Sequence, residues 1–94
     1  MSVIRSFKNK GLQRFAEKGD ASKLSVQKTA KLERLLAALD AATAPEQMKV
    51  PGLNFHALKG KMKGRYAVSV SGNWRLTFSF DGQDAAEIDL EDYH

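Results

Sequence analysis

The chain has 94 residues, 43% of them hydrophobic, and no cysteine, so one core over residues 1–94 is expected and disulfides, thiolate nucleophiles and cysteine-based zinc sites are excluded. No apolar run approaches the roughly 20 residues of a membrane span, and Met1–Lys10 shows no signal-peptide apolar stretch. Residues 1–75 carry all 15 lysines and arginines against five acids, a balance of +10, whereas residues 76–94 carry six acids and neither lysine nor arginine, a balance of −6. A basic body with an acidic tail points to a polyanionic partner and a separate negative surface; two solvated faces of opposite bias are the plainer reading.

In chain order, Val3–Phe7 is short and partly alternating, and reads as a first strand. Leu12, Phe15 and Ala16 recur at helical spacing between about Lys8 and Lys18, with Gly19 as the stop. Ser25 is the expected N-cap of a second helix running to about Ala42, whose apolar stripe is Leu32, Leu35, Leu36 and Leu39. Lys28, Lys31 and Arg34 fall largely away from that stripe. Thr43 and Glu46 have capping-box spacing for one further short turn, and Pro51-Gly52 breaks the chain.

Beyond Pro51 the period changes to two. Asn54–Leu58 reads as a strand, and Tyr66, Val68 and Val70 alternate in the next. Gly72-Asn73 marks a tight turn; then Trp74, Leu76, Phe78 and Phe80 share one face and Arg75, Thr77 and Ser79 the other. Asp81-Gly82 is a second hairpin signal, and Ala86, Ile88 and Leu90 continue the alternation in a last strand. The expected architecture is α+β, in the order β-α-α-β-β-β-β. Two helices pack on the aromatic face of a mainly antiparallel sheet, and the face carrying Arg75 is left to a ligand.

Four places concentrate polar chemistry: His56, the basic loop Lys59, Lys61, Lys63 and Arg65, the lone Arg75, and the terminal Glu91-Asp92-Tyr93-His94. Each has a bland reading: a surface histidine, a solvated hairpin tip, an arginine paired with Glu87 or Asp89, and a frayed terminus. Together they supply what metal-free RNA cleavage needs: a base for the 2′-hydroxyl, an acid for the leaving 5′-oxygen, and cations around the phosphate. His56, Asp92 and His94 are candidate proton carriers, Lys59 and Arg75 candidate phosphate clamps, and Tyr93 a candidate stacking group. No histidine pair has metal-binding spacing on one element, so no metal or other cofactor is expected.

The segments Leu36–Thr43, His56-Ala57-Leu58-Lys59-Gly60, Val68–Phe78 with its Asn73-Trp74-Arg75-Leu76-Thr77-Phe78 block, and the closing Asp92-Tyr93-His94 resemble the HigB toxins of the RelE/ParE superfamily of toxin–antitoxin systems. The resemblance covers nearly the whole chain. It implies a RelE-like microbial ribonuclease fold and a cytoplasmic, ribosome-dependent mRNA endonuclease that cuts in the A site and stops translation. The family's active-site positions fall on His56, Lys59, Arg75, Asp92, Tyr93 and His94, leaving open which of His56, Asp92 and His94 is the base. Ribosomal RNA would be held by Lys28, Lys31, Lys61, Lys63 and Arg65. The implied partner is a HigA-like helix-turn-helix antitoxin, through which alone the chain would meet operator DNA. Strict alternation sends His56 and Lys59 to opposite faces, so the strand must end, twist or bulge near Leu58 if both act. Two other readings stand beside this one: a ParE-like poison of DNA gyrase, which has no need of His56 or the terminal Asp-Tyr-His, and a weakly toxic partner serving antitoxin binding and operon regulation.

Overall fold

A computed structural model describes residues 4–20, 22, 24, 29–71 and 74–92. The Ser25 cap, Lys28, the Gly72-Asn73 turn, Tyr93 and His94 lie outside these residues, as do the first residues of the expected opening strand. Helix α1 spans Lys10–Lys18. It starts later than its apolar spacing suggested because Asn9 stays extended, and its side-chain oxygen accepts the Leu12 N–H at 3.0 Å. The Gly19 N–H closes the other end on the Phe15 carbonyl at 2.8 Å. Helix α2, Thr29–Ala41, buries Leu32, Leu35, Leu36 and Leu39, the stripe read from the sequence. The 3₁₀ turn that follows, Pro45–Met48, is capped at Ala44, so the residue three positions on is Gln47 and not Glu46. Gln47 accordingly makes the reciprocal pair, accepting the Thr43 N–H at 2.9 Å and donating to the Thr43 hydroxyl at 3.1 Å.

Four strands follow: β1 (His56–Ala57), β2 (Arg65–Ser71), β3 (Trp74–Asp81) and β4 (Asp84–Asp92). They lie in the order β1-β2-β3-β4, each antiparallel to its neighbour. The two helices and the sheet form the α+β arrangement that the pattern implied. Val68, Val70, Leu76, Phe78, Ile88 and Leu90 meet Leu12, Phe15 and the α2 leucines in one core cluster. A row of rings crosses this inner face: Phe55 stacks on Tyr66 at 5.7 Å and Tyr66 on Phe78 at 6.0 Å between centroids.

The opening segment runs beside β4 in parallel, joined among the described residues by a bridge between Phe7 and Ile88 and not by a full strand. The Arg5 N–H donates to Ala85 O at 2.7 Å, Lys8 N–H to Ile88 O at 2.8 Å, and Ile88 N–H to Ser6 O at 3.2 Å. Here β4 departs from simple alternation. Thr77 pairs with Asp89 but Ser79 pairs with Ala86, so β4 carries one extra residue opposite Phe78. The bulge reverses the parity of the strand. Ala86 sits across from Ser79 on the outer face, while Ala85, across from Phe80, joins the core with Ile88 and Leu90.

The bulge contains Glu87 at φ 51°, in the left-handed region that a β-carbon disfavours by about 1–2 kcal/mol. Its peptide groups are held on both sides. The Glu87 N–H donates to the Ser6 hydroxyl at 2.9 Å, and the Glu87 carbonyl accepts from Arg65 Nη2 at 2.8 Å. Ser6→Ala, which leaves that N–H without its partner, is expected to lower the unfolding free energy by about 1 kcal/mol. Glu87→Gly is expected to raise it by roughly 0.5–1 kcal/mol, because glycine adopts the same backbone without the side-chain penalty. Urea denaturation of the two variants against the native chain checks both signs.

Candidate functional site

The core face of the sheet is occupied, so chemistry is confined to the outer face and the ends of the strands. Phe55 and Ala57 belong to the inner row, and Ala57 pairs with Tyr66; alternation therefore turns His56 outward, opposite Ala67. His56 is exposed, and its Nδ1 lies 2.9 Å from the Asn54 carbonyl oxygen. A carbonyl only accepts, so in this contact Nδ1 is the donor. Asn54 can place its carbonyl there because it sits at φ 52°, a conformation that asparagine tolerates better than most residues. Its side-chain amide is tied to the Ser69 hydroxyl at 3.3 Å.

Arg75 rises from β3 on the same outer face, between Ser69 of β2 and Glu91 of β4 in the strand register. Its Nε is buried, so the base of the guanidinium is sunk in the sheet surface. His56 and Arg75 are two strands apart and two residues out of step. Strand spacing and rise put their Cα atoms about 12 Å apart.

Lys59 follows the point where the β1 ladder stops. Leu58 N–H still reaches Arg65 O at 2.9 Å, and the chain then turns into the 3₁₀ segment Gly60–Met62. The alternation that would oppose Lys59 to His56 therefore does not extend to it. Gly60 at φ 67° and Gly64 at φ 94° bracket this turn, where any β-carbon would be strained. Lys59, Lys61 and Lys63 are exposed on it. An open cleft of about 420 Å³ lies here, lined by Ala57, Leu58, Lys59, Lys63, Arg65 and Tyr66 among others.

Arg65 stands apart from these lysines. It begins β2, is half-buried, and its Nη2 donates at 3.0 Å to the hydroxyl of Thr77, which is fully buried on the outer face. The Thr77 hydroxyl in turn donates to Glu91 Oε2 at 2.5 Å. Lys31 is half-buried on α2, the helix whose leucines pack on the inner face of the sheet.

Asp92 is exposed at the last residue of β4, paired with Trp74, so its strand position belongs to the face opposite Arg75. The structure thus puts His56 and Arg75 on one face and Lys59 on the adjoining turn, but leaves Asp92 at the end of β4 on the opposite face of the sheet. Asn54 and Thr77 are not among the sequence candidates, and Glu91 is one only as part of the polar terminus. Asn54 before a histidine in a strand carries a weak signal, since asparagine is a frequent left-handed residue. Thr77 and Glu91 acquire their roles only from the register.

An outer sheet face with a histidine, a half-sunk arginine and a lysine-bearing turn sets basic groups on one side of a small α+β protein. The family model of the RelE-like HigB toxin of type II toxin–antitoxin systems matches residues 5–94. A curated relative from Proteus vulgaris, named Endoribonuclease HigB, is 38% identical over 92 residues, spanning 98% of this chain and 100% of the relative. The chain belongs to the HigB family of RelE-like toxins, and the family's toxin–antitoxin character gives it an antitoxin as partner.

Arg65→Met is expected to destabilise the fold by about 2 kcal/mol, the scale of hydrogen bonds donated by a charged group, by freeing the Glu87 carbonyl and the Thr77 hydroxyl together. Lys61→Met, on the exposed turn, is expected to change stability by less than about 0.5 kcal/mol. Thermal unfolding of the pair separates the sheet-bound base from the solvated one.

Proposed function

We propose that the chain is a metal-independent endoribonuclease that cuts messenger RNA in the ribosomal A site and thereby inhibits translation. The observation that carries this reading is the shared outer face of His56 and Arg75, in a chain 38% identical to a relative named Endoribonuclease HigB. A phosphodiester laid across this face meets an imidazole acceptor on one side and a two-pronged cation on the other. The 2′-hydroxyl loses its proton to a base, and its oxygen attacks the adjacent phosphorus. The bond to the 5′-oxygen breaks, and that oxygen leaves with a proton from an acid. The products carry a 2′,3′-cyclic phosphate, which water opens to a 3′-phosphate, and a 5′-hydroxyl.

Arg75 and Lys59 stabilise the negative charge that builds on the phosphoryl oxygens. His56, Asp92 and His94 share the proton transfers, and Tyr93 stacks on a base. Lys61 and Lys63 on the exposed turn, with Lys28 and Lys31, hold ribosomal RNA. Arg65 supports the face from within, since its Nη2 is committed to Thr77 and Glu87. The antitoxin is a HigA-like helix-turn-helix protein that brings the complex to operator DNA, and the place of action is the translating ribosome in the cytoplasm.

The test is 5′-end mapping of messages after brief expression of the native chain and of His56→Ala, Arg75→Ala, Asp92→Ala and His94→Ala. In-frame cuts within translated regions are expected, weakened roughly 10²–10⁴-fold by removal of a proton carrier or of the clamping arginine. Growth arrest with intact messages would overturn the reading and favour action on DNA gyrase. Normal growth with intact messages would leave antitoxin binding and operon regulation.

A further inference from the structure

His56 is exposed, and an exposed imidazole on a sheet surface turns among several rotamers. One contact restrains it. Its Nδ1 donates to the Asn54 carbonyl oxygen at 2.9 Å. That bond spends one ring nitrogen on the backbone, so Nε2 is the nitrogen left to meet a ligand. The acceptor stands only two residues before the histidine, at the entrance to β1.

Asn54 holds its carbonyl there from φ 52°. Glycine and asparagine adopt this left-handed conformation most readily, and β-branched residues least. Such a residue persists where its surroundings hold it, and two bonds to one residue of β2 do so. The Ser69 N–H donates to the Leu53 carbonyl at 2.8 Å, and Asn54 Nδ2 donates to the Ser69 hydroxyl at 3.3 Å. The backbone just before Asn54 and the Asn54 side chain are thus fixed to the same point of the sheet. Ser69 is the β2 residue paired with Arg75. The turn that restrains His56 is therefore tied down at the register position of the arginine on the same face. A side chain oriented before the ligand arrives loses less rotamer freedom when it engages.

We propose that Asn54, pinned to Ser69, is a positioning residue: its backbone carbonyl orients the His56 imidazole so that Nε2 handles the proton during RNA cleavage. This rests on the nuclease reading above, and it holds for whichever of the two proton transfers His56 makes. Asn54 acts through His56, so its effect on the reaction requires the imidazole.

The test has two readouts. The first needs no RNA: nitrogen NMR of the isolated chain shows which ring nitrogen of the neutral imidazole carries the proton, and the signals absent from His56→Ala belong to His56. The proton is expected on Nδ1 in the native chain and in Asn54→Gly, which adopts the same backbone. In Asn54→Val, whose branched side chain disfavours the left-handed turn, it is expected to move to Nε2, its usual place in water. The second readout is primer extension on a ribosome-bound message in a reconstituted translation reaction. The maximal cleavage rate and the protein concentration giving half that rate are read separately, and thermal unfolding confirms that each variant is folded. Asn54→Val is expected to lower the maximal rate about 5-fold with little change in the half-saturating concentration, as loss of orientation does. Asn54→Gly, which keeps the turn and loses only the amide tether, is expected to lower it less than about 2-fold. In a His56→Ala background Asn54→Val is expected to change the residual rate by less than about 2-fold, because the group it positions is gone. A native His56 with its proton on Nε2, or an equal loss from Asn54→Val with and without His56, would overturn the proposal while leaving the nuclease reading intact. A native chain that cuts no message would overturn both.

Discussion

The left-handed peptide at Glu87 organises the outer face of this sheet. A residue with a β-carbon at φ 51° persists only where its surroundings hold it. Here the hold comes from three segments of the chain: the Ser6 hydroxyl on the N–H, Arg65 on the carbonyl, and the β3 ladder on either side. What the strain provides is a change of parity. Beyond the bulge, Asp89 and Glu91 stand opposite Thr77 and Arg75, and Leu90 stands opposite Leu76 in the core. One residue fewer in β4 would exchange the apolar and charged sides of its final turn of pleat.

Much of the architecture was legible because two periodicities are clean. The α2 leucines at helical spacing and the alternation through Tyr66–Val70 and Trp74–Phe80 correspond to the elements and faces observed. The last strand departs from its pattern at one point. Ala86, Ile88 and Leu90 alternate in the sequence, yet Ala85 is the alanine in the core. Two adjacent alanines offer no difference in size or polarity, and the residue that turns the chain is a glutamate, which composition does not mark as left-handed. Spacing alone groups Arg65 with the lysines; only the register reveals that it crosses β3 to reach β4. His56 and Arg75 stood out because histidine and arginine are scarce among alternating apolar residues. The hydrogen bond from His56 to the Asn54 carbonyl depends on a backbone angle that no pattern encodes.

The acids of residues 76–94 also resolve differently from a single negative surface. Asp81 and Asp84 receive the two ends of the Arg5 guanidinium at 2.8 and 2.9 Å. These exposed pairs tie the opening segment to the β3–β4 hairpin at modest energy. Hydrogen bonding to Asp84 and the nearby charge of Asp81 raise the Arg5 pKa further above its already high ordinary value. Asp89 accepts the N–H of Leu90, and Glu91 accepts Thr77. The tail's charge is thus largely spent along the length of β4, on the opening segment and on the sheet itself. The lysines of the Gly60–Met62 turn keep their solvated positive field.

The parallel run of residues 5–8 beside 85–88 has a kinetic side. Ser6 and Glu87 are 81 positions apart in sequence. Closing a flexible loop of that order costs about 4 kcal/mol in chain entropy. Pairing of this kind forms late, after the β2–β3–β4 meander has gathered itself through short turns. A contact made late and held by a few backbone bonds is also among the first to open. When the opening segment lifts away, Glu87 loses the partner of its N–H and the bulge keeps only Arg65 and the β3 ladder. The outer face is then coupled to the fraying of a segment on the far edge of the sheet, and its geometry is only as persistent as that docking.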